Sequence, residues 1–426
     1  MRLVFIIILS SLSLYGFSQE LIQSYFHTNS QSMIPKEVIS FKGQTVMPYS
    51  LLGNATRSPG IAFFENNTLI NSIVFEGENE YVINQLIESQ DSTLLLSAEG
   101  YSDDGQESLY FLEIDEEEIV NEFIYNENGN ELDPFAMVEN GENIFVAGFL
   151  KERELISNSF FNMYSERQDI YFSEFSKSGT KIWSKSLEIE GYNLGICNAM
   201  KKIDNHLILL CHATNSDNKL STFLIKIDFE GKVILMKEFF LPDSNLSSNL
   251  ILINQGKIDL IGSFQRNKVN HIFKMNLDLN LNVISQSEFI TNNSINIYGS
   301  YNNLVFGGII SDNEGYNYAL LQFIDNKAQL LHFGGIKSEI IIGASDNYLY
   351  GYSIASSSEK TASLNLFNYD NSLISYGELS KSSNRILNSF NSNYTTNSEF
   401  TKSKINKGIK RMSVKNNFKQ IKEIKF

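Results

Sequence analysis

Cysteine, proline, histidine and tryptophan are scarce in this chain. Its 426 residues include 2 Cys, 5 Pro, 5 His and 1 Trp. Two cysteines allow one disulfide at most, and they are too few for a zinc site made of thiolates. The sequence contains no nucleophile elbow, no phosphate-binding loop and no Ser/His/Asp pattern. It therefore lacks the motifs by which many enzyme families are recognised from sequence, and we predict no cofactor.

Long apolar runs are also missing after the first residues, so the chain is not predicted to be a transmembrane protein. At the start, Arg2 is followed by an apolar run from Leu3 to Leu14 and by the small residues Gly16 and Ser18. This is the layout of a secretory signal peptide, and the run is short for a membrane span. We expect residues 1–18 to be removed and the protein to be secreted or held at the cell surface. A retained signal anchor is the alternative.

Positive charge is rare except at the C-terminus. The net charge is −15, yet residues 401–426 hold nine basic residues and one acidic residue. The body of the chain is therefore strongly acidic, which argues against binding to nucleic acid. The apolar residues Val414, Phe418, Ile421 and Ile424 recur among the lysines at roughly helical spacing, which favours a short basic amphipathic helix. A frayed terminus is the alternative.

Aromatic residues are abundant, with 31 Phe and 20 Tyr, and they fall into a repeat of about fifty residues. The stretch FLIKIDFEGKVILMKEFF, residues 223–240, predicts two strands joined by a turn. A similar hairpin precedes each copy, so one repeat makes four antiparallel strands. The turns of the seven copies fall at Glu65, Asp115, Ser176, Asp228, Asp278, Asp325 and Asn368.

Repeats of this length with four strands are typical of β-propeller blades. We therefore predict an all-β propeller, with seven blades favoured and six or eight as alternatives; a β-solenoid or tandem sandwiches would be other solutions. The turn Leu224–Gly231, together with Gly179 and Trp183, resembles the repeats of secreted bacterial propellers of the Bacteroidetes type. The resemblance covers about residues 37–380 and implies a fold rather than an activity.

The expected organisation has five parts. A signal peptide (1–18) and an N-terminal segment (19–36) precede the propeller (37–380), and a Ser/Asn-rich linker (381–400) and the basic tail (401–426) follow it. In many propellers one terminus supplies a strand to the blade at the other end. Either residues 21–27 or part of residues 383–400 could do so here.

Among the loops that join the second and third strands of each repeat, Leu150–Gln168 stands out because it is about ten residues longer than the others. Function concentrates on such loops. Every Arg between residues 19 and 380 falls in this class of loop, and guanidinium groups suit a carboxylate or sulfate ligand. The alternative is that these arginines lie too far apart to converge. The predicted ligand-binding residues are Arg57, Arg153, Tyr164, Arg167, His212 and Arg266.

Two further sites are predicted. Cys197 and Cys211 lie at equal distances from the turn at Asp204, so opposed strands would bring them within disulfide range; two buried thiols are the alternative. Calcium could bind the oxygen-rich stretches at residues 102–105 and 126–133, although neither matches a complete calcium loop and solvated turns are the simpler interpretation.

The sequence thus predicts an exported, non-catalytic propeller that binds a cell-surface protein or a polysaccharide. The alternative is a propeller enzyme, a glycoside hydrolase or polysaccharide lyase, that uses carboxylates at the mouth of the channel.

Overall fold

In the computed structural model the described residues form only strands, turns and bends. They are 21–27, 32–52, 57–66, 68–76, 80–101, 107–115, 118–125, 131–158, 161–310, 316–324, 327–333, 338–345, 348–354, 363–368, 377–381, 387–389, 394–398, 410–413 and 418–421. Within these ranges no helix is long and apolar enough to cross a membrane. The predicted signal peptide lies outside them.

The described strands follow one another in short antiparallel hairpins. In chain order they are β1 Leu21–His27, β2 Ser32–Pro35, β3 Ile39–Phe41, β4 Gln44–Leu52, β5 Arg57–Glu65, β6 Thr68–Glu76, β7 Glu80–Glu88, β8 Leu94–Tyr101, β9 Glu107–Asp115, β10 Glu118–Tyr125, β11 Glu131–Asn140, β12 Asn143–Asn158, β13 Phe161–Ser176, β14 Lys181–Ile189, β15 Tyr192–Ile203, β16 His206–Asn215, β17 Leu220–Asp228, β18 Val233–Phe240, β19 Leu246–Asn254, β20 Lys257–Arg266, β21 Val269–Leu277, β22 Val283–Thr291, β23 Ile295–Tyr301, β24 Leu304–Ile310, β25 Tyr316–Ile324, β26 Lys327–Phe333, β27 Ser338–Ala344, β28 Tyr348–Ile354, β29 Ser363–Asn368, β30 Gly377–Glu378, β31 Ser380–Lys381, β32 Leu387–Ser389, β33 Tyr394–Ser398, β34 Lys410–Ser413 and β35 Phe418–Ile421.

The predicted all-β repeat is confirmed at the level of sheets. We call the units repeats 1 to 7: β2 to β6, β7 to β10, β11 to β14, β15 to β18, β19 to β22, β23 to β26, and β27 to β29 with β1. In each, neighbouring strands pair antiparallel. Repeats 3 and 4 are joined into one larger sheet by a single parallel pairing between Gln168 and Leu194.

The turn of the reference hairpin explains why the repeat is readable in the sequence. Oδ1 of Asp228 accepts hydrogen bonds from the backbone N–H groups of Glu230 and Lys232. Gly231 then takes a left-handed conformation with φ of 71°, which costs glycine little. Asp278 makes the same pair of bonds in repeat 5, to Asn280 and Asn282. An Asp at the start of the turn thus fixes where the fourth strand begins.

The hydrophobic core is divided among seven clusters of described side chains, each shared by two repeats. Six of them join consecutive repeats, from 1 and 2 through to 6 and 7. The seventh joins the last repeat to the first, because Tyr350 and Leu366 pack with Tyr49 and Phe64. Every repeat therefore buries both faces of its sheet against a neighbour.

The N-terminal strand completes repeat 7. Of the two segments expected to close the fold, Leu21–His27 is the one that pairs with β29. The sequence also predicts a final hairpin that ends near Leu379. That expectation is wrong at its end, because Gly377–Glu378 pairs with β26 of repeat 6 instead.

The described C-terminal strands, β30 to β35, each add one more strand to a repeat, and we call them the C-terminal belt. In chain order they pair with repeat 6 through β26, repeat 5 through β22, repeat 4 through β18, repeat 3 through β14, repeat 1 through β6 and repeat 7 through β1. Within residues 401–426 the described segments Lys410–Ser413 and Phe418–Ile421 are thus strands and not the expected helix.

The long connection of repeat 3 also differs from the expectation of a loop. Its described residues continue β12 and β13 as one regular antiparallel ladder from Leu150 opposite Asp169 to Asn158 opposite Phe161. The insertion therefore extends a hairpin.

Candidate functional site

Two of the predicted arginines lie at strand ends, and each has partners within its own surroundings. Nε of Arg57 lies 3.4 Å from Oε2 of Glu80, and its guanidinium carbon lies 4.9 Å from the ring centroid of Tyr101. Arg57 thus faces neighbours from repeat 2, and its charge is already paired.

Arg266, at the end of β20 in repeat 5, belongs to a different group. Its Nη1 lies 3.9 Å from Oε1 of the buried Glu288, and its guanidinium carbon lies 5.2 Å from the ring centroid of Phe264. Nδ1 of His271 lies 3.0 Å from the same carboxylate oxygen. The two described arginines are therefore held in separate environments, in repeats 1 and 5.

Arg153, Tyr164 and Arg167 lie in the ladder of the extended hairpin. Arg153 is opposite Glu166, Leu155 is opposite Tyr164, and Glu152 is opposite Arg167. Their side chains lie outside the described part of the structure, so a ligand-binding role for them stays a prediction.

His212 is buried in β16 and connects two repeats. Its Nε2 accepts a hydrogen bond of 3.0 Å from the backbone N–H of Ser248 in repeat 5. Burial lowers the pKa of His212 from 6.5 to about 4, so the ring is neutral near pH 7. A neutral ring that accepts at Nε2 carries its proton on Nδ1. Nδ1 lies 2.5 Å from Nδ2 of Asn198. Because two donors cannot bond each other, the pair requires the Asn198 amide with its oxygen and nitrogen exchanged, so that Nδ1–H donates to Oδ1.

The two cysteines have the register that the sequence predicts. Cys197 on β15 lies directly opposite Cys211 on β16, and both are buried. Both are free thiols in the structure, and burial raises the pKa of the Cys211 thiol well above its usual value. The disulfide itself stays a prediction, which a count of reactive thiols in the denatured, unreduced protein would decide.

A feature that the sequence does not reveal is a β-bulge on the first strand of each repeat. In repeats 2 to 7 the register with the second strand shifts by one residue, and in repeat 1 the three residues 36–38 stand opposite two. We call the extra residues the bulge set: Glu37, Asn84, Phe135, Asn198, Asn249, Tyr298 and Ile342.

The bulges explain a column of small residues on the second strands. Gly148, Gly262 and Gly307 each stand opposite the residue that precedes a bulge. A methyl group on any of them would overlap a backbone carbonyl oxygen of the first strand, for example that of Ser247 beside Gly262. The bulge presses the first strand against the second, and only a small residue fits there.

The bulge of repeat 1 reaches residues from five other repeats. The charge of Lys36 interacts with those of Glu99 and Asp133. The charge of Glu37 interacts with that of Lys201. The backbone N–H of Val38 donates a hydrogen bond of 3.4 Å to the carbonyl oxygen of Ile342 in repeat 7. The carboxylate of Glu37 also faces Gly299 and Ser300 of repeat 6. The first strands of successive repeats lie beside one another from β3 to β27. These contacts place the bulge of repeat 1 beside residues of repeats 2, 3, 4, 6 and 7.

Glu37 is in an unusual electrostatic position. Its side chain is accessible to solvent, yet protein atoms surround it on most sides. This partial removal from water raises the pKa of Glu37 from 4.5 to about 7, against the opposing effect of Lys201. Burial likewise lowers the pKa of Lys36, although Asp133 and Glu99 favour its charged form.

Three consecutive members of the bulge set are exposed. They are Asn198, Asn249 and Tyr298, on repeats 4, 5 and 6, and the Tyr298 side chain is 50% exposed. Amide groups both donate and accept hydrogen bonds, and a tyrosine ring offers an apolar face with a polar end. This arc is the part of the bulge set that is best placed to contact a ligand. Residue types alone could not have found it, because one-residue bulges leave no mark in the repeat length.

Metal binding finds no support among the described side chains, where no group of three or more His, Cys, Asp or Glu residues could hold an ion. The predicted calcium stretches fall largely outside the described residues. In their described part, Asp133 accepts a hydrogen bond of 2.9 Å from the Asn84 amide, and Glu131 lies 3.3 Å from Nζ of Lys151.

Comparisons with known proteins add little about function. No protein-family model and no curated protein matches the chain. Among solved structures, the chain is similar to a crystal structure of a protein of unknown function from Dyadobacter fermentans DSM 18053. The two are 12% identical, the match covers 82% of this chain and 99% of that chain, and the TM-score is 0.40. The likeness carries no functional argument, and membership of a Bacteroidetes-type propeller family stays a prediction.

Proposed function

We propose that the chain is a seven-bladed β-propeller in which each repeat is one blade and the bulge set lines the central channel. Two observations support this. Each core cluster joins neighbouring repeats, and one of them joins repeat 7 to repeat 1. The bulge of repeat 1 is also surrounded by residues from repeats on all sides. In this arrangement β1 closes the last blade and removes its open edge.

We propose that this propeller is exported and acts as a non-catalytic module that binds a glycan at the cell surface. The observation that carries the proposal is the exposed arc of Asn198, Asn249 and Tyr298 on consecutive repeats. Side-chain amides can bond two sugar hydroxyls each, and an aromatic ring can pack against the apolar face of a sugar. His212 contributes by fixing the orientation of the Asn198 amide. A cell-surface protein as partner is the other outcome of the test.

A glycan-cleaving enzyme is the second candidate, and one observation favours it. Glu99 and Asp133 are buried acids whose charges both favour the charged form of Lys36. The pKa of the adjacent Glu37 is raised to about 7. A carboxyl group with such a pKa can serve as a general acid near neutral pH. Release of reducing sugars from a bound polysaccharide would favour this candidate.

The test is a glycan array with neutral and acidic polysaccharide fragments, followed by titration of the best ligand. We expect Asn249→Ala and Tyr298→Ala each to weaken binding about tenfold, the effect of losing roughly one good contact. Asn280→Ala is the matched control because Asn280 is exposed on a turn of repeat 5 and uses only its backbone N–H in the turn.

Three results would count against the proposal. Unchanged affinity in both arc variants would remove the bulge set as the site. If acidic fragments bind and Arg153→Ala with Arg266→Ala abolishes that binding, then the arginines predicted from the sequence are the site instead. If no fragment binds at all, then a protein partner becomes the better hypothesis.

A further inference from the structure

The carboxylate of Glu37 lies beside both ends of the exposed arc. Its charge interacts with that of Lys201 on repeat 4, the repeat that carries Asn198. On repeat 6 it faces the backbone N–H of Ser300, two residues after Tyr298. The arc therefore has, next to its neutral side chains, a group that can carry a negative charge.

A glycine on repeat 6 makes room for this carboxylate. A methyl group at Gly299 would lie 2.8 Å from Oε1 of Glu37 and 2.7 Å from the ring of Phe306. A side chain at this position would therefore push the carboxylate away. Gly299 directly follows Tyr298, whose side chain is 50% exposed. The carboxylate thus lies next to the backbone that presents the accessible aromatic ring of the arc.

The charged groups around Glu37 leave one negative charge in excess. Lys36 interacts with the two acids Glu99 and Asp133. Glu37 interacts with Lys201. When all of these groups are ionised, three acids stand against two lysines. Among the residues that the structure describes, no basic group forms a close ion pair with Glu37, so its carboxylate can still pair with a cation from a ligand.

Partial removal from water makes this excess charge important for binding. It raises the pKa of Glu37 to about 7, so at pH 7 about half of the molecules carry a neutral carboxyl group there. An opposite charge within about 4–6 Å favours the ionised carboxylate and lowers its pKa by about one to three pH units. A cationic ligand therefore gains affinity from Glu37, whereas an anionic ligand loses affinity.

From the position of Glu37 beside the arc and from the excess negative charge, we propose that the arc binds a glycan that carries free amino groups. The ammonium group of this ligand pairs with the Glu37 carboxylate and contacts the ring of Tyr298, since aromatic faces also attract cations. The amides of Asn198 and Asn249 bind its hydroxyl groups. The inference rests on the proposed function and names the class of ligand for the same site.

The test compares two fragments that differ only in their amino groups, a tetramer of β-1,4-linked glucosamine and the same tetramer fully N-acetylated. In calorimetric titration of the mature chain at pH 7, we expect the free amine to bind about tenfold tighter. Glu37→Gln should bind both fragments with the affinity that the wild type has for the acetylated one. In buffers of different ionisation enthalpy, the wild type should release about half a proton more than Glu37→Gln on binding the free amine, because the ligand ionises Glu37.

Three outcomes would overturn the inference. If the wild type binds both fragments equally, then Glu37 does not select an amine; weaker binding by Asn249→Ala and Tyr298→Ala would then still support the arc as a glycan site. If Glu37→Gln prefers the free amine as strongly as the wild type does, then another group makes the selection. If neither fragment binds, then the inference is wrong, and the glycan array alone decides the proposed function.

Discussion

At the scale of single residues, His212 plays a different part from the one its position in the sequence suggests. It is predicted to contact a ligand because it lies near the end of a connecting loop. In the fold it is buried, and it links the backbone of Ser248 to the side chain of Asn198. The sequence identifies a polar residue near the site, but burial decides that it positions a neighbour. Burial depends on the packing of repeat 4 against repeat 5, which no local pattern encodes.

The buried state of His212 predicts a pH dependence of stability. Its pKa is about 4 in the folded protein against 6.5 in the unfolded chain. Between these values the unfolded chain binds more protons. The contribution of neutral His212 to the free energy of unfolding is therefore fully present above pH 6.5 and is lost as the pH falls to 4. The loss should approach roughly 3 kcal/mol.

His212→Gln keeps an acceptor for Ser248 and a polar group for Asn198 but does not titrate. In urea unfolding at pH 7 and pH 4, we expect the wild-type protein to lose more stability than this variant. His206→Gln, at the first residue of the same strand, is the matched control and should follow the wild type. An identical loss in wild type and His212→Gln would contradict the assignment.

At the scale of elements, the bulge on the first strand and the small residue opposite it depend on each other. Gly148, Gly262 and Gly307 lie on the second strands of repeats 3, 5 and 6, each opposite the residue that precedes a bulge. The structure identifies the approaching group as the carbonyl of a strand distorted by a bulge. The bulge also turns an additional side chain, such as Asn249, to the exposed side. The glycines and the arc of exposed residues therefore have the same cause.

Gly262→Ala tests this close contact between the first and second strands. The added methyl group would overlap the carbonyl oxygen of Ser247 and meet the ring of Phe273. Because backbone cannot move aside cheaply, we expect a loss of about 1–3 kcal/mol in the free energy of unfolding. The measurement is chemical denaturation, with Ser263→Ala on the same strand as the control. A loss below about 0.5 kcal/mol, the range of ordinary surface changes, would speak against the close contact.

At the scale of the whole molecule, both termini are used to cover sheet edges. β1 supplies the fourth strand of repeat 7 and carries β35 on its other side. The belt does the same for the outer strands of the other repeats that it visits. A single repeat could not exist alone, since each half of its core belongs to a neighbour.

Removal of residues 19–31 should therefore destabilise the entire protein. The ladder with β29 pairs five residues of β1, so we expect a loss of about 3 kcal/mol or more. A peptide of sequence LIQSYFH should restore the melting temperature in a concentration-dependent way, because it binds the folded form. A scrambled peptide is the control. An unchanged melting temperature in the shortened protein would mean that β1 does not complete repeat 7.

The sequence by itself determined the repeat, the strand class and most hairpin turns, because alternating side chains and the Asp–Gly turn act over a few residues. Asp228 and Gly231 fix their turn without help from the rest of the chain. It also predicted the opposition of Cys197 and Cys211, which follows from symmetry about a turn. The extended hairpin was expected as a loop, because its length could be counted but its pairing could not.

Only the tertiary structure decided which residues meet. First strands of successive repeats lie side by side, and Val38 bonds Ile342 although the two are about three hundred residues apart in the chain. The belt is likewise invisible in the sequence, because short Ser-, Asn- and Lys-rich strands have weak local preferences and acquire order from the edges they cover. Pairing and packing over such separations depend on the assembled sheets, and that is why the candidate site emerged from the fold and not from the motifs.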